Sequence, residues 1–184
     1  PVFSDIRFRK ALNLAIDKEA IMKHIFKGKA NPAGTWPGSA IEVCGGGPNL
    51  PPYPYNPEEA KRLLKEARFE GSEFSVPSYK RSACPEFLDL VEAVCGYWEK
   101  VGLRPKIFMT EWSTFEKRMR DANSQGTIAG MDSSNSPSVP ALLLRMKERT
   151  YSKYKRTTIK DPKVDELFNK ASNSLDSAEV AKLL

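Results

Sequence analysis

Cysteine and histidine are scarce in this 184-residue chain, which holds three Cys and one His. Cys44, Cys84 and Cys95 share no C-x-x-C spacing, and together with the distant His24 they match no zinc finger or ribbon. One disulfide plus one free thiol stays open for an exported protein. A Cys84–Cys95 bridge is disfavoured if the intervening segment is helical, because about ten residues at ~1.5 Å each exceed a disulfide's span. Cys95 falls on the apolar side of its expected helix, as a buried, inert thiol does. His24 lies opposite the Ile21/Met22/Ile25/Phe26 face and is expected to be exposed. No Ser stands in G-x-S-x-G, and no P-loop or G-x-G-x-x-G occurs. Gly45-Gly46-Gly47 runs into Pro48 instead of a helix start, so it reads as a flexible loop and not a phosphate cradle. The expectation is a protein that is no enzyme, with neither cofactor nor metal.

Long apolar runs are also missing. None approaches 18 residues, so no helix is expected to span a membrane. No charged-then-apolar segment opens the chain, which starts at Pro1 and stops inside an apparent helix. That pattern is expected of a piece excised or processed from something longer.

What is present is an ordinary globular composition, 40% apolar and 28% charged, long enough for one core. The net charge of +6 is concentrated. Between Arg145 and Lys163 stand eight basic residues against two acids, and the remainder is neutral. With Tyr151 and Tyr154 interleaved, that stretch is compatible with phosphate and base contacts, and equally with a solvated loop.

Periodicity divides the chain further. Phe8, Ala11, Leu12 and Ala15 mark a helix over Ser4 to Ile16 with Ser4 as cap, and Asp17 caps a second helix ended by Gly28. Residues 1–29 thus form a helical hairpin. Residues 30–56 form a long Pro- and Gly-rich loop containing Trp36. Asn56-Pro57-Glu58-Glu59 is a helix start, with Ala60, Leu63, Leu64 and Ala67 inward.

A strand over Glu73–Tyr79, a helix over Pro85–Lys100 and a strand over Arg104–Glu111 follow, the helix turning into the second strand at Val101-Gly102-Leu103. Ser113-Thr114-Phe115-Glu116 reads as a capping box opening a short helix, packed through Phe115, Met119 and Ala122. Gly126–Met131 fits a third strand. This β-α-β-α-β order over residues 57–144 predicts an α/β fold with a right-handed, largely parallel sheet covered by helices. The polar run 132–140 then sits at the carboxyl end of the third strand, where open α/β sheets place ligands. On spacing alone it reads equally as a surface connection. In residues 145–184, the basic segment is followed by a helix opening at Asp161-Pro162 and a last one near Asp176.

The order of these blocks resembles a known family. Phe3-x-Asp5-Ile6-Arg7-Phe8-Arg9-Lys10-Ala11-Leu12-Asn13-Leu14-Ala15-Ile16-Asp17 and Ile21, then Tyr55-Asn56-Pro57-Glu58-x-Ala60-Lys61-x-Leu63-Leu64-x-x-Ala67, then Tyr97-Trp98-x-Lys100-Val101-Gly102-Leu103 through Glu111-Trp112, then Asp161-Pro162-x-x-Asp165-x-Leu167, resemble blocks of the family 5 extracellular solute-binding proteins. These are the dipeptide, oligopeptide and nickel-type receptors of ABC importers. Arg68 stands where that family's second block has Gly.

The resemblance implies one lobe of a two-lobed periplasmic binding protein, without its amino-terminal lobe. It implies a peptide or other small polar solute bound in an interlobe cleft by hinge closure, and an ABC permease as membrane partner. The location implied is periplasmic or extracytoplasmic, lipid-anchored or free. The family's ligand loop reads W-x-x-D after the third strand, its Asp holding a peptide amino terminus. The matching positions are Met131 and Ser134, with Asp132 the neighbouring acid that can stand in. Met131, Asp132, Ser134 and Asn135 are therefore the candidate ligand-binding residues, with Trp36 from the long loop. A basic nucleic-acid-binding domain using residues 145–163 is the alternative, although the importer reading expects no nucleic acid. Since an isolated lobe lacks half of a cleft's contacts, calorimetry on residues 1–184 alone is expected to show no micromolar solute binding.

Overall fold

The computed structural model describes residues 2–32, 51–82, 84–121, 126–128 and 161–174, together with 176, 179, 180 and 183. Of these, 2–32, 53–119 and 126–128 form one compact unit, and the rest belong to a second.

The first unit begins with a 3₁₀ turn over Val2–Ser4 and then helix α1, Ile6–Leu14. Its cap is Asp5 and not the expected Ser4. The Asp5 carboxylate accepts the Arg7 backbone N–H at 2.8 Å and holds the Arg7 guanidinium, which a hydroxyl cannot do. Those bonds draw the carboxyl down to about 2. Asp17 caps α2, Lys18–His24, through a bond from the Ala20 N–H. Asn56 caps α3, Pro57–Glu66, as its Asn-Pro-Glu-Glu start predicts. On α3 the exposed face carries Glu58–Lys61 and Glu59–Arg62–Glu66 ion pairs. The opposite face buries Ala60, Leu63 and Leu64.

Both α3 and the later helix α4 (Phe87–Lys100) end in Schellman turns. After α4 the Leu103 N–H bonds the Trp98 carbonyl and Gly102 takes φ +89, as its Gly permits. After α3 the Phe69 N–H bonds the Leu64 carbonyl in the same way, but the left-handed position is filled by Arg68 at φ +57. A Cβ there crowds the following carbonyl at a cost of about 1 kcal/mol.

Strands β1 (Glu73–Ser78) and β2 (Arg104–Met109) pair in parallel, Glu73 opposite Arg104 and Ser78 opposite Met109, joined through α4. On the other side of β1 the chain bridges at Thr127, parallel to Ser75, with Ser75 N–H to Gly126 O and Ile128 N–H to Ser75 O both 2.9 Å. The expected third strand, Gly126–Met131, is thus represented among the described residues by this one bridge, and 129–131 lie outside them. Helix α5 spans Trp112–Arg120. It starts one residue before the expected Ser113 box, because the Phe115 N–H already bonds the Glu111 carbonyl. Phe115 is buried as expected, and Ala122 lies outside the described residues.

The core gathers Phe8, Ala11, Leu12 and Leu14 of α1, the α3 stripe, Phe74 and Val76 of β1, and Phe87, Val91, Cys95 and Trp98 of α4. Edge-to-face rings tie its parts: Phe8 to Phe69 at 5.5 Å, Phe74 to Phe8 at 6.1 Å and Phe74 to Trp98 at 5.4 Å. The Trp98 indole N–H donates to the Leu12 carbonyl at 3.0 Å. In the second unit α6, Pro162–Asn173, is capped by Asp161 and buries Phe168 and Ala171.

Two measurements test this frame. Replacing Trp98 by Phe leaves the buried Leu12 carbonyl without its donor and should cost about 1–3 kcal/mol in urea unfolding, and Trp98→Ala about 3–5 kcal/mol. Arg68→Gly relieves the left-handed strain and should stabilise by about 1 kcal/mol in the same assay.

Candidate functional site

Parallel α/β sheets offer ligands the loops at their strands' carboxyl ends. Here those ends are Ser78 of β1, Met109 of β2 and the chain beyond Thr127. Ser78 is buried, and its carbonyl accepts the Thr110 N–H at 3.0 Å, which extends the ladder one step past β2 and brings Glu111 and Trp112 beside the β1 exit.

The segment leaving β1 is Tyr79-Lys80-Arg81-Ser82. Tyr79 is only 1% exposed and packs on Phe87 at 4.7 Å and Trp112 at 5.2 Å, with Trp112 in turn 6.5 Å from Phe115. Burial pushes the Tyr79 phenol up, against a smaller opposing pull from Arg81. The Arg81 guanidinium lies 5.4 Å from the Phe87 ring centre and 6.0 Å from that of Tyr79. Two aromatic rings therefore hold a half-buried cation at the sheet's carboxyl edge. Lys80, Arg81, Ser82, Pro85 and Leu88 line a cavity of about 400 Å³ there. A Cys84 N–H to Arg81 carbonyl bond and a Phe87 N–H to Cys84 carbonyl bond turn the chain from this rim into α4.

Another groove of about 540 Å³ runs along α2 past Met22, Lys23, Lys27 and Pro32. It is larger, but among the described residues no strand ends in it. The smaller cavity has both a strand end and a positioned charge.

The chemistry of these groups suits binding. Arg81 carries a planar guanidinium of the kind that pairs with a carboxylate, and Pro85 and Leu88 give the cavity apolar lining. Cys95 is 2% exposed with its thiol pushed to about 11, chiefly by burial, so it is an inert thiol as expected. Cys84 and Cys95 are both free. His24 is exposed, and no metal-holding group of His, Cys, Asp or Glu occurs among the described residues.

Met131, Asp132, Ser134, Asn135 and Trp36 all lie outside the described residues, as do Cys44 and the basic run 145–160. The sequence reading did not single out Lys80, Arg81 or Trp112 as site residues. The signal was available: two cations directly follow an expected strand, at the end where ligands bind.

Residues 1–152 match the family model described as bacterial extracellular solute-binding proteins, family 5 middle. Heme-binding protein A of Haemophilus influenzae is 26% identical over 186 residues, 98% of this chain and 33% of that protein. The dipeptide-binding protein of Escherichia coli is 33% identical over 137 residues, 71% of this chain and 25% of that protein. Among solved structures, HbpA2 from Haemophilus parasuis superposes with a TM-score of 0.80 at 27% identity, covering 100% of this chain and 36% of that one. The chain therefore spans a quarter to about a third of the length of the relatives it matches. Nothing in these likenesses supports a nucleic-acid-binding role for residues 145–163.

Proposed function

The chain belongs to the bacterial extracellular solute-binding proteins of family 5, with the fold of one lobe of a two-lobed periplasmic binding protein, and from that premise we propose that it serves the solute-binding component of an ABC importer. The observation that carries the reading is the cavity at the carboxyl end of β1, with the Arg81 guanidinium held against Phe87 and Tyr79.

The solute is a peptide or another small polar molecule, and the peptide reading is favoured by the likeness to the dipeptide-binding protein of Escherichia coli. Arg81 takes an acidic group of the solute in a bidentate bond. Because two rings already restrict the guanidinium, ordering it on binding costs little. The Tyr79 and Phe87 rings behind the guanidinium keep it partly out of water, which strengthens that bond. Met131, Asp132, Ser134, Asn135 and Trp36, outside the described residues, remain candidate ligand-binding residues from the sequence. Ser134, where the family's loop has Asp, is neutral and accepts a hydroxyl or an amide as readily as an ammonium. A solute touching this lobe and a second one favours the closed form, and the closed receptor docks on a permease at the outer face of the membrane. The protein acts outside the cytoplasm, and chemistry on the solute forms no part of its task.

The test is a thermal-shift panel of peptides, sugars and metal chelates on the full-length protein, followed by calorimetry with the best binder. Arg81→Ala should weaken binding of an acidic solute by about tenfold or more, with Arg81→Lys in between. An Arg81→Ala protein that binds as the wild type does would remove the cavity from the site.

A further inference from the structure

We propose that the outer edge of β2 takes an added strand, an extended segment of a partner protein in which acidic and apolar residues alternate. Among the described residues the sheet runs from the Thr127 bridge through β1 to β2, so β2 is its edge. The Arg104 and Thr110 N–H groups bond toward β1, to the Ser72 and Ser78 carbonyls. Even-numbered residues of β2 therefore turn their backbone groups to β1. Those of Ile107 and Met109 point away from it and have no partner among the described residues. Edge strands are normally blunted by proline and lysine. Pro105 and Lys106 do so for the first half of β2, since Pro105 has no outward N–H to give. The second half carries no such guard. There Ile107 is 43% exposed and Met109 64%, beside the buried Val76 and Ser78 of β1. An open ladder and two bare apolar side chains thus coincide on one short stretch.

Charge decides what fits there. Residues side by side on paired strands share a face. The face of Ile107 and Met109 is apolar, so the added strand turns apolar side chains to it. The opposite face of β2 carries Arg104 and Lys106, which share the one carboxylate of Glu73 at 3.9 and 3.8 Å. These three groups sum to +1, and acidic side chains on the added strand complement them. A second copy of β2 would bring another arginine and lysine to that face, not acids. Strand addition of this kind takes its affinity from backbone bonds and its specificity from alternate side chains. Among the described residues none of β2 lines the cavity at Arg81, so this surface is separate from the proposed solute site.

The experiment is fluorescence anisotropy on the full-length protein with a labelled, end-capped peptide of alternating Glu and Val. It should bind about tenfold tighter than the same peptide with Lys for Glu, and about tenfold tighter than a copy N-methylated on its ladder-facing amides. Met109→Lys and Ile107→Pro should each weaken it about tenfold, the proline by removing one outward N–H without touching a bond to β1. Lys106→Gln should weaken it about threefold and flatten its salt dependence. Unaltered circular dichroism is expected for all three exposed positions. Excess unlabelled Ala-Ala and the Arg81→Ala change should both leave the probe bound. No binding, equal affinity for the basic or the N-methylated peptide, displacement by Ala-Ala, or full affinity in both Met109→Lys and Ile107→Pro overturns the inference. A dimer in light scattering that Met109→Lys dissolves overturns it too, because the edge then belongs to a second copy. Solute binding is read by other probes at another surface, so either claim can fall while the other stands.

Discussion

The fold of the first unit depends on how the end of α1 is satisfied. A helix leaves its last carbonyls without partners, and burying them unpaired is costly. Here the donors come from across the chain. The Leu12 carbonyl takes the Trp98 indole N–H, Asn13 takes the Lys18 ammonium at 2.9 Å, and Leu14 takes the Asn56 N–H at 2.8 Å. The same Lys18 ammonium also reaches the Tyr53 carbonyl at 3.1 Å. One helix end thereby fixes the start of α2, the approach to α3 and the far half of α4. Partial burial lowers the Lys18 ammonium, consistent with a cation drawn in among carbonyls.

Through Trp98 that junction reaches the sheet. The same indole that closes the α1 end packs its ring on Phe74 of β1, so helical hairpin and strand register share one side chain. β1 then delivers Tyr79 and Arg81 to the carboxyl edge, where Phe87 at the start of α4 meets them. Both ends of α4 thus carry weight: its last turns hold the frame, and its first residue holds the guanidinium. Arg81 is far in sequence from α1, yet its position follows from the helix that α1 anchors.

At the sheet's carboxyl edge a half-buried cation thus lies against two rings, with an exposed cation one residue before it.

The sequence by itself determined most elements and their order. Local rules govern a cap such as Asn56 before Pro57, a glycine such as Gly102 after α4, and the apolar stripe Phe87, Val91, Trp98, and each is legible within a few residues. It misjudged the cap of α1, where Asp5 wins over Ser4 by also holding Arg7, and set the start of α5 too late. Arg68 was visible as a departure from glycine, but only the backbone showed that it keeps glycine's left-handed conformation. The tertiary structure alone decided that Trp98 caps α1 from 86 residues away and that Tyr79 and Phe87 meet Arg81, with Trp112 packed on Tyr79. Helix periods and caps are set by neighbours along the chain, whereas a binding cavity is made by side chains that meet only after distant segments have packed.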